Sequence, residues 1–250
     1  MNQTILNQLK ASRQSGKKSL AVLIDPDKAN LSDMSALVHA CELNEVDLIF
    51  VGGSLIVGLG LHQMIAQLKS LTKIPVVLFP GSSMHIDFNA DAILFLSLIS
   101  GRNPELLIGQ HVLAAPLLKK SELEVIPTGY ILVDSGLQTT VSYISNTTPI
   151  PFNKPEIAVS TALAGEMLGL QCIYLDAGSG AEKNISSKMI ASVNKAIGVP
   201  LIVGGGINTA AKAQAAYNAG ADVVVVGNAF ETHPELIGQI AKSRFSVKGE

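Results

Sequence analysis

The sequence predicts a TIM-type (β/α)8 barrel, and three observations carry that expectation. Eight short apolar runs recur along 250 residues, most of them followed by a segment with helical apolar spacing. The runs lack polar alternation, which suits parallel strands buried on both faces. The glycine-rich turns come late in the chain, whereas an open doubly wound sheet would carry them after its first strand. Eight strands alternating with helices in about 250 residues fit a single barrel, here taken to span residues 1–250.

The elements follow in order. Residues 20–24 form the first expected strand, and a helix over 33–43 precedes the second strand at 48–51. A helical pattern over 63–71 leads to the third strand at 75–78. The segment FPGSSMHIDFNA then reaches the fourth strand, at 92–96. It is too short and too rich in turn residues for a full crossover helix, so the outer helix after strand three is expected to be missing or replaced. A helix over 104–118 precedes the fifth strand at 129–133. Residues 134–156 are dominated by Ser, Thr and Asn and contain Pro149, Pro151 and Pro155. A loop this long is uncommon unless it is functional or disordered, and on the catalytic face it would be a candidate lid. Strands at 172–175, 200–203 and 223–226 alternate with helices at 185–196 and 209–219.

Composition excludes several classes. Charged residues make up only 15% of the chain, against about 25% in an average globular domain. Eighteen basic and 20 acidic residues give a net charge of −2, with no footprint for nucleic acid. The longest uncharged apolar stretch of the first half, residues 48–61, has 14 residues and falls short of the 20 or so of a spanning helix. The N-terminal segment is polar and lacks the apolar core of a signal peptide. Cys41 and Cys172 show no metal-binding or redox spacing and suit buried thiols in a reducing compartment. A cytoplasmic protein without a transmembrane segment is expected.

Chemistry is expected where the strands end. In a barrel the loops after strands seven and eight often hold phosphate. Strand seven ends in Gly204-Gly205-Gly206 and strand eight in Gly227-Asn228, where backbone amides can approach an anion. Strand six ends in YLDAGSGA. There Asp176 either takes a proton from a substrate hydroxyl or caps the following turn. Strand one delivers Asp25 and Asp27, and strand two Gly52-Gly53-Ser54. A carboxylate beside a hydroxyl suits Mg²⁺, which keeps water and substrate phosphates as its other ligands, but Asp25-Pro26-Asp27 also reads as a solvated turn. Lys28 is either a point charge for a diphosphate or an exposed lysine at a helix entry. The histidines show no metal-ligand spacing, and neither Ser54 nor Ser179 sits in a nucleophile elbow.

Six motifs taken together are specific. VLIDPDK (22–28), VGGS (51–54), TGYILVD (128–134), YLDAGSGA (174–181), VGGGI (203–207) and VGNAFE (226–231) resemble geranylgeranylglyceryl phosphate synthase. The resemblance runs in order from about residue 18 to 240, and the YLDAGSGA form is similar to the family's second group, which has bacterial members. It implies a modified barrel lacking the outer helix after strand three. It also implies a Mg²⁺-dependent prenyltransferase that joins a polyprenyl diphosphate to sn-glycerol 1-phosphate and releases pyrophosphate. By resemblance Asp25 and Ser54 hold Mg²⁺. Tyr174, Leu175, Asp176, Ala177, Gly178, Ser179, Gly180, Gly204, Gly205, Gly227 and Asn228 bind glycerol 1-phosphate. Asp176 stands where family members commonly carry Glu, one methylene longer. The resemblance further implies a homo-oligomer. It leaves open a heptaprenyl donor; the alternatives are another barrel enzyme, a phosphate-binding isomerase or aldolase or a flavin-dependent one, and a barrel that binds a phosphorylated metabolite or lipid without catalysis.

Overall fold

In a computed structural model describing residues 3–58, 60–227 and 236–245, eight strands close into the expected barrel. They are β1 (Ser19–Ile24), β2 (Leu48–Gly53), β3 (Val76–Pro80), β4 (Ala92–Leu98), β5 (Glu124–Leu132), β6 (Cys172–Asp176), β7 (Leu201–Gly204) and β8 (Val223–Val226). Each pairs in parallel with the next, and β8 closes onto β1. The helices are α1 (Thr4–Ser15), α2 (Met34–Leu43), α3 (Leu61–Leu71), α4 (Gln110–Lys120), α5 (Thr140–Ser145), α6 (Pro155–Met167), α7 (Ser187–Ala196), α8 (Ala210–Asn218) and α9 (Leu236–Ser243). A π-turn, Glu105–Gly109, leads into α4.

The period-2 geometry of a strand sends alternate side chains to opposite faces, and the buried residues divide accordingly. Ala21, Phe50, Val77, Phe79, Leu94, Ile126, Tyr130, Tyr174, Ile202 and Val225 fill the barrel interior. Their neighbours Leu20, Val22, Ile49, Val51, Leu78, Ile131, Ile173, Val203 and Val224 pack outward with the surrounding helices. Both faces of the sheet are therefore apolar, which accounts for strands without polar alternation.

Between β3 and β4, residues 81–91 form no helix, as expected. Two side-chain contacts hold this segment: a hydrogen bond between His62 Nδ1 and Asp87 at 2.7 Å, and an ion pair between Lys69 Nζ and Asp91 at 2.6 Å. With no helix over it, the middle of β4 stays only half-buried at Phe95, Leu96 and Ser97.

The opposite end of the barrel is closed by α1, whose Ile5, Leu6 and Leu9 join the interior cluster. The carboxylate of Glu124, at the start of β5, accepts the Ile5 and Leu6 N–H groups at 2.8 and 2.7 Å. Arg13 donates to Asp222 at the foot of β8 and to the Ile197 carbonyl. Glu124→Ala leaves two buried donors unpaired and is expected to cost about 3 kcal/mol. A lowered urea midpoint at constant m-value would register that loss.

The structure adds α1, α5, α6 and α9 to the elements expected from sequence. The buried stripe of α6 is Ala158, Ala162 and Gly165, too small to give an apolar period. Small residues let the helix come close: a Cβ on Gly165 or on Gly129 of β5 would meet the Ile99 and Ile173 side chains at about 3 Å. β5 begins at Glu124, five residues before the apolar run at 129–133, because Pro127 and Thr128 interrupt the pattern. Residues 134–156 are not an open loop. They contain α5, its N-terminus capped by Thr139, and a parallel bridge between Val133 and Ile150.

Candidate active site

The C-terminal ends of the strands gather the expected residues into two clusters on one face of the barrel. The first is built from β5, β6 and β7. Asp176, the last residue of β6, is buried, and its two oxygens are held from different sides: Tyr130 Oη donates to Oδ2 at 2.5 Å and Gly178 N to Oδ1 at 2.8 Å. Burial raises the Asp176 pKa above its ordinary value, and these two hydrogen bonds oppose the rise. The side chain thus combines a fixed orientation with more basicity than a solvated carboxylate, the two properties a general base needs. Burial also pushes the Tyr130 and Tyr174 hydroxyls upward in pKa, so both remain neutral donors.

Two glycines of the β7 loop must be glycine. A Cβ on Gly204 would lie 2.5 Å from Tyr174 Oη. Gly205 has φ +81°, and its Cβ would lie 2.6 Å from both Ala177 N and Asp176 Oδ1. Gly178 (φ +87°) comes equally close to Thr139 at the start of α5. Backbone approaches this tight bring the β6 and β7 loops and the α5 segment together around Asp176. Lys212 on α8 donates to the Gly206 carbonyl and to Asn208, so a cation is fixed beside the glycine loop.

The remaining expected ligands divide by position. Leu175 and Ala177 turn their side chains into the outer core, so only their backbone is available. Ser179 and Gly180 lie exposed in the β6 loop. Gly227 follows β8, where a Cβ would meet nothing closer than 3.8 Å among the described residues, and Asn228 lies outside them. Tyr130 lies within the TGYILVD motif but is not among the site residues expected from sequence. Its signal is an inward-facing position on β5 level with Tyr174.

The second cluster lies across the mouth. Asp25 follows β1 and pairs with Lys28 Nζ at 2.6 Å, while its carboxylate carbon lies 3.8 Å from where a Gly53 Cβ would stand. It is thus beside the end of β2, which continues into Ser54. Asp27 is engaged elsewhere. Its oxygens accept the N–H groups of Val57 and Gly58 at 2.7 and 2.8 Å, bonds that lower its pKa and tie the β1 and β2 loops. Among the described residues no three His, Cys, Asp or Glu side chains could form a metal cage. One carboxylate and one hydroxyl instead fit an ion completed by water and phosphate.

From this second cluster an apolar cavity of about 250 Å³ extends along β4. Gly53, Ser54 and residues 81–83 line it at the mouth. Ile86, Ile93, Phe95 and Ala114 line the space left by the missing helix, and Val141 and Ile144 of α5 form another wall. His111 also faces it. Burial lowers the His111 pKa, and Nδ1 is the one fully buried side-chain nitrogen or oxygen without a hydrogen bond among the described residues.

Comparison with known proteins bears on this arrangement. The PcrB family model matches residues 13–244. The chain belongs to that family. PcrB-family relatives include the geranylgeranylglyceryl phosphate synthase of Spirosoma linguale, 56% identical over 238 residues, or 95% of this chain and 94% of the relative. The enzyme of that name from Pyrococcus furiosus is 44% identical over 84% of each chain. Among solved structures, (S)-3-O-geranylgeranylglyceryl phosphate synthase from Thermoplasma acidophilum, in complex with its substrate sn-glycerol-1-phosphate, superposes with a TM-score of 0.92. It is 32% identical and covers 98% of this chain and 99% of its own. A tryptophan synthase α chain from Legionella pneumophila, 16% identical at a TM-score of 0.63, shares the fold alone. No helix among the described residues is long and apolar enough to cross a membrane.

Proposed function

We propose that this chain is a prenyltransferase that joins a polyprenyl diphosphate, geranylgeranyl diphosphate above all, to the free hydroxyl of sn-glycerol 1-phosphate. The observation that carries this reading is the pairing of two unlike sites on one barrel face. A buried, oriented carboxylate sits among glycine loops, and an apolar cavity opens beside Asp25 and Ser54. A barrel that merely binds a phosphorylated metabolite needs the first of these and not the second.

The phosphate of glycerol 1-phosphate binds at Gly204–Gly205 and at Gly227 after β8, with Tyr174 and the β6 loop around the glycerol. This places its hydroxyl against Asp176. The prenyl tail occupies the cavity along β4, and its diphosphate lies at the mouth by Ser54. The C–O bond to the diphosphate breaks with its electron pair leaving on pyrophosphate, and the allylic carbon forms the ether bond. Asp176 takes the hydroxyl proton, while the two binding sites hold the reacting atoms in line. Asp25 and Ser54 would hold Mg²⁺, which when bound offsets charge on the departing diphosphate. Lys28, now paired with Asp25, is positioned to turn to the same phosphates.

The Cys41 and Cys172 thiols, both buried with pKa pushed up to about 12, suit work in a reducing cytoplasm. The outward face of the π-turn and α4, where Ile108 of the turn and Val112, Leu113 and Leu117 of the helix are exposed, supports self-association.

Pyrophosphate release from geranylgeranyl diphosphate tests the reading. It is expected with sn-glycerol 1-phosphate and Mg²⁺, and to fall at least about 100-fold with the sn-3 enantiomer or with excess EDTA. Equal release with both enantiomers would contradict the acceptor assignment, and undiminished release in EDTA the metal.

A further inference from the structure

His85 lies in the segment that replaces the missing outer helix, and the function above gives it no role. The segment is locked onto the second cluster. Gly81 packs so closely on β2 that a Cβ there would meet the Gly53 and Ser54 carbonyl oxygens at 2.5 Å. A tight turn follows, with His85 N donating to the Ser82 carbonyl and Met84 N to Ser82 Oγ. The imidazole closes the turn: Gly81 N donates to His85 Nδ1 at 3.2 Å. An Nδ1 that accepts carries no proton, so the neutral ring holds its proton on Nε2.

That Nε2–H is the unused edge of the ring, since the Gly81 bond is the one hydrogen bond His85 side-chain atoms make among the described residues. The ring is half-buried and close enough to Asp27 for each to shift the other's proton affinity. No hydrogen bond joins the ring to Asp27, whose oxygens accept from Val57 N and Gly58 N. Burial outweighs the Asp27 charge and keeps the imidazole below its ordinary pKa. The segment packed against Gly53 and Ser54 therefore presents a neutral, turn-fixed N–H donor on the side of Asp27.

We propose that His85 is a binding residue for the prenyl donor, donating from Nε2 to a diphosphate oxygen while its Nδ1 fixes the turn on Gly81. This rests on the transferase reading above. The short β3–β4 segment then both leaves room for the tail and supplies a donor to the head group.

Two amides separate the edges of the ring. In His85→Asn the amide oxygen can still accept from Gly81 N, but nothing reaches the Nε2 position. In His85→Gln the amide nitrogen reaches that position. Kinetics are read beside calorimetric titration of the protein with inorganic pyrophosphate and Mg²⁺. His85→Asn is expected to raise both the KM for geranylgeranyl diphosphate and the Kd for pyrophosphate about 10-fold. The KM for glycerol 1-phosphate stays unchanged, and His85→Gln stays within about 3-fold of the parent. Parent-like values for His85→Asn, or a loss shared equally with glycerol 1-phosphate, would overturn the assignment and leave His85 as a turn-closing residue. The titration needs no turnover. If the parent binds pyrophosphate but makes no ether, the transferase reading fails while the His85 contact is still decided.

Discussion

Asp176→Asn lowers kcat by about 100- to 10,000-fold, the range that loss of a positioned general base brings. The amide keeps the shape of the side chain and can still accept from Tyr130 or Gly178, so the KM for glycerol 1-phosphate changes little. The pH profile separates this from a structural effect. Desolvation raises the Asp176 pKa, and the base works only when ionised. Activity of the parent therefore falls as pH drops through a limb lying above the usual carboxylate range, and Asp176→Asn loses that limb. Tyr130→Phe removes a hydrogen bond that favours the ionised form, so its limb moves to higher pH. Equal turnover in parent and Asp176→Asn would remove Asp176 from the proton transfer.

Gly205→Ala is expected to be nearly as damaging by a different route. Its φ of +81° disfavours any side chain, and the added methyl would sit 2.6 Å from Ala177 N and Asp176 Oδ1. The β6 and β7 loops must part, which breaks the Ala177 N–Gly204 carbonyl hydrogen bond and displaces the phosphate turn. Displacement on the order of 1 Å is enough to cost about 100-fold in kcat/KM, and here the KM for glycerol 1-phosphate rises too. Gly227→Ala is the control: with 3.8 Å of clearance to the described residues it keeps the parent's melting temperature. Kinetics and thermal melts of the two variants side by side check both statements.

The barrel was legible because its strands are buried on both faces, so each registers as an unbroken apolar run. The missing helix was legible from the turn residues between β3 and β4. Elements whose partners are unusual were not. The three apolar residues of α1 are a plug for the barrel floor, and α6 packs through alanines and glycine. In the site, the glycine turns and Asp176 stand out by their place at the strand ends, although Asp176 also caps its own turn through Gly178 N. Tyr130 does not, because an inward tyrosine resembles any core aromatic until Asp176 is found on its hydroxyl. Asp27 is a similar case in reverse: its spacing matches Asp25, but the β2 loop consumes both its oxygens. The low charge count, first a question about membranes, is explained by a two-faced apolar sheet and a cavity lined along β4.

The central claim is tested most directly by product mass. The protein is incubated with sn-glycerol 1-phosphate, Mg²⁺ and prenyl diphosphates of increasing length, and the products are weighed by mass spectrometry. The account predicts a prenylglyceryl phosphate ether, formed best from the geranylgeranyl donor and in step with pyrophosphate. Binding of glycerol 1-phosphate with no ether from any donor would contradict it and leave a barrel that holds a phosphorylated ligand without transferring to it.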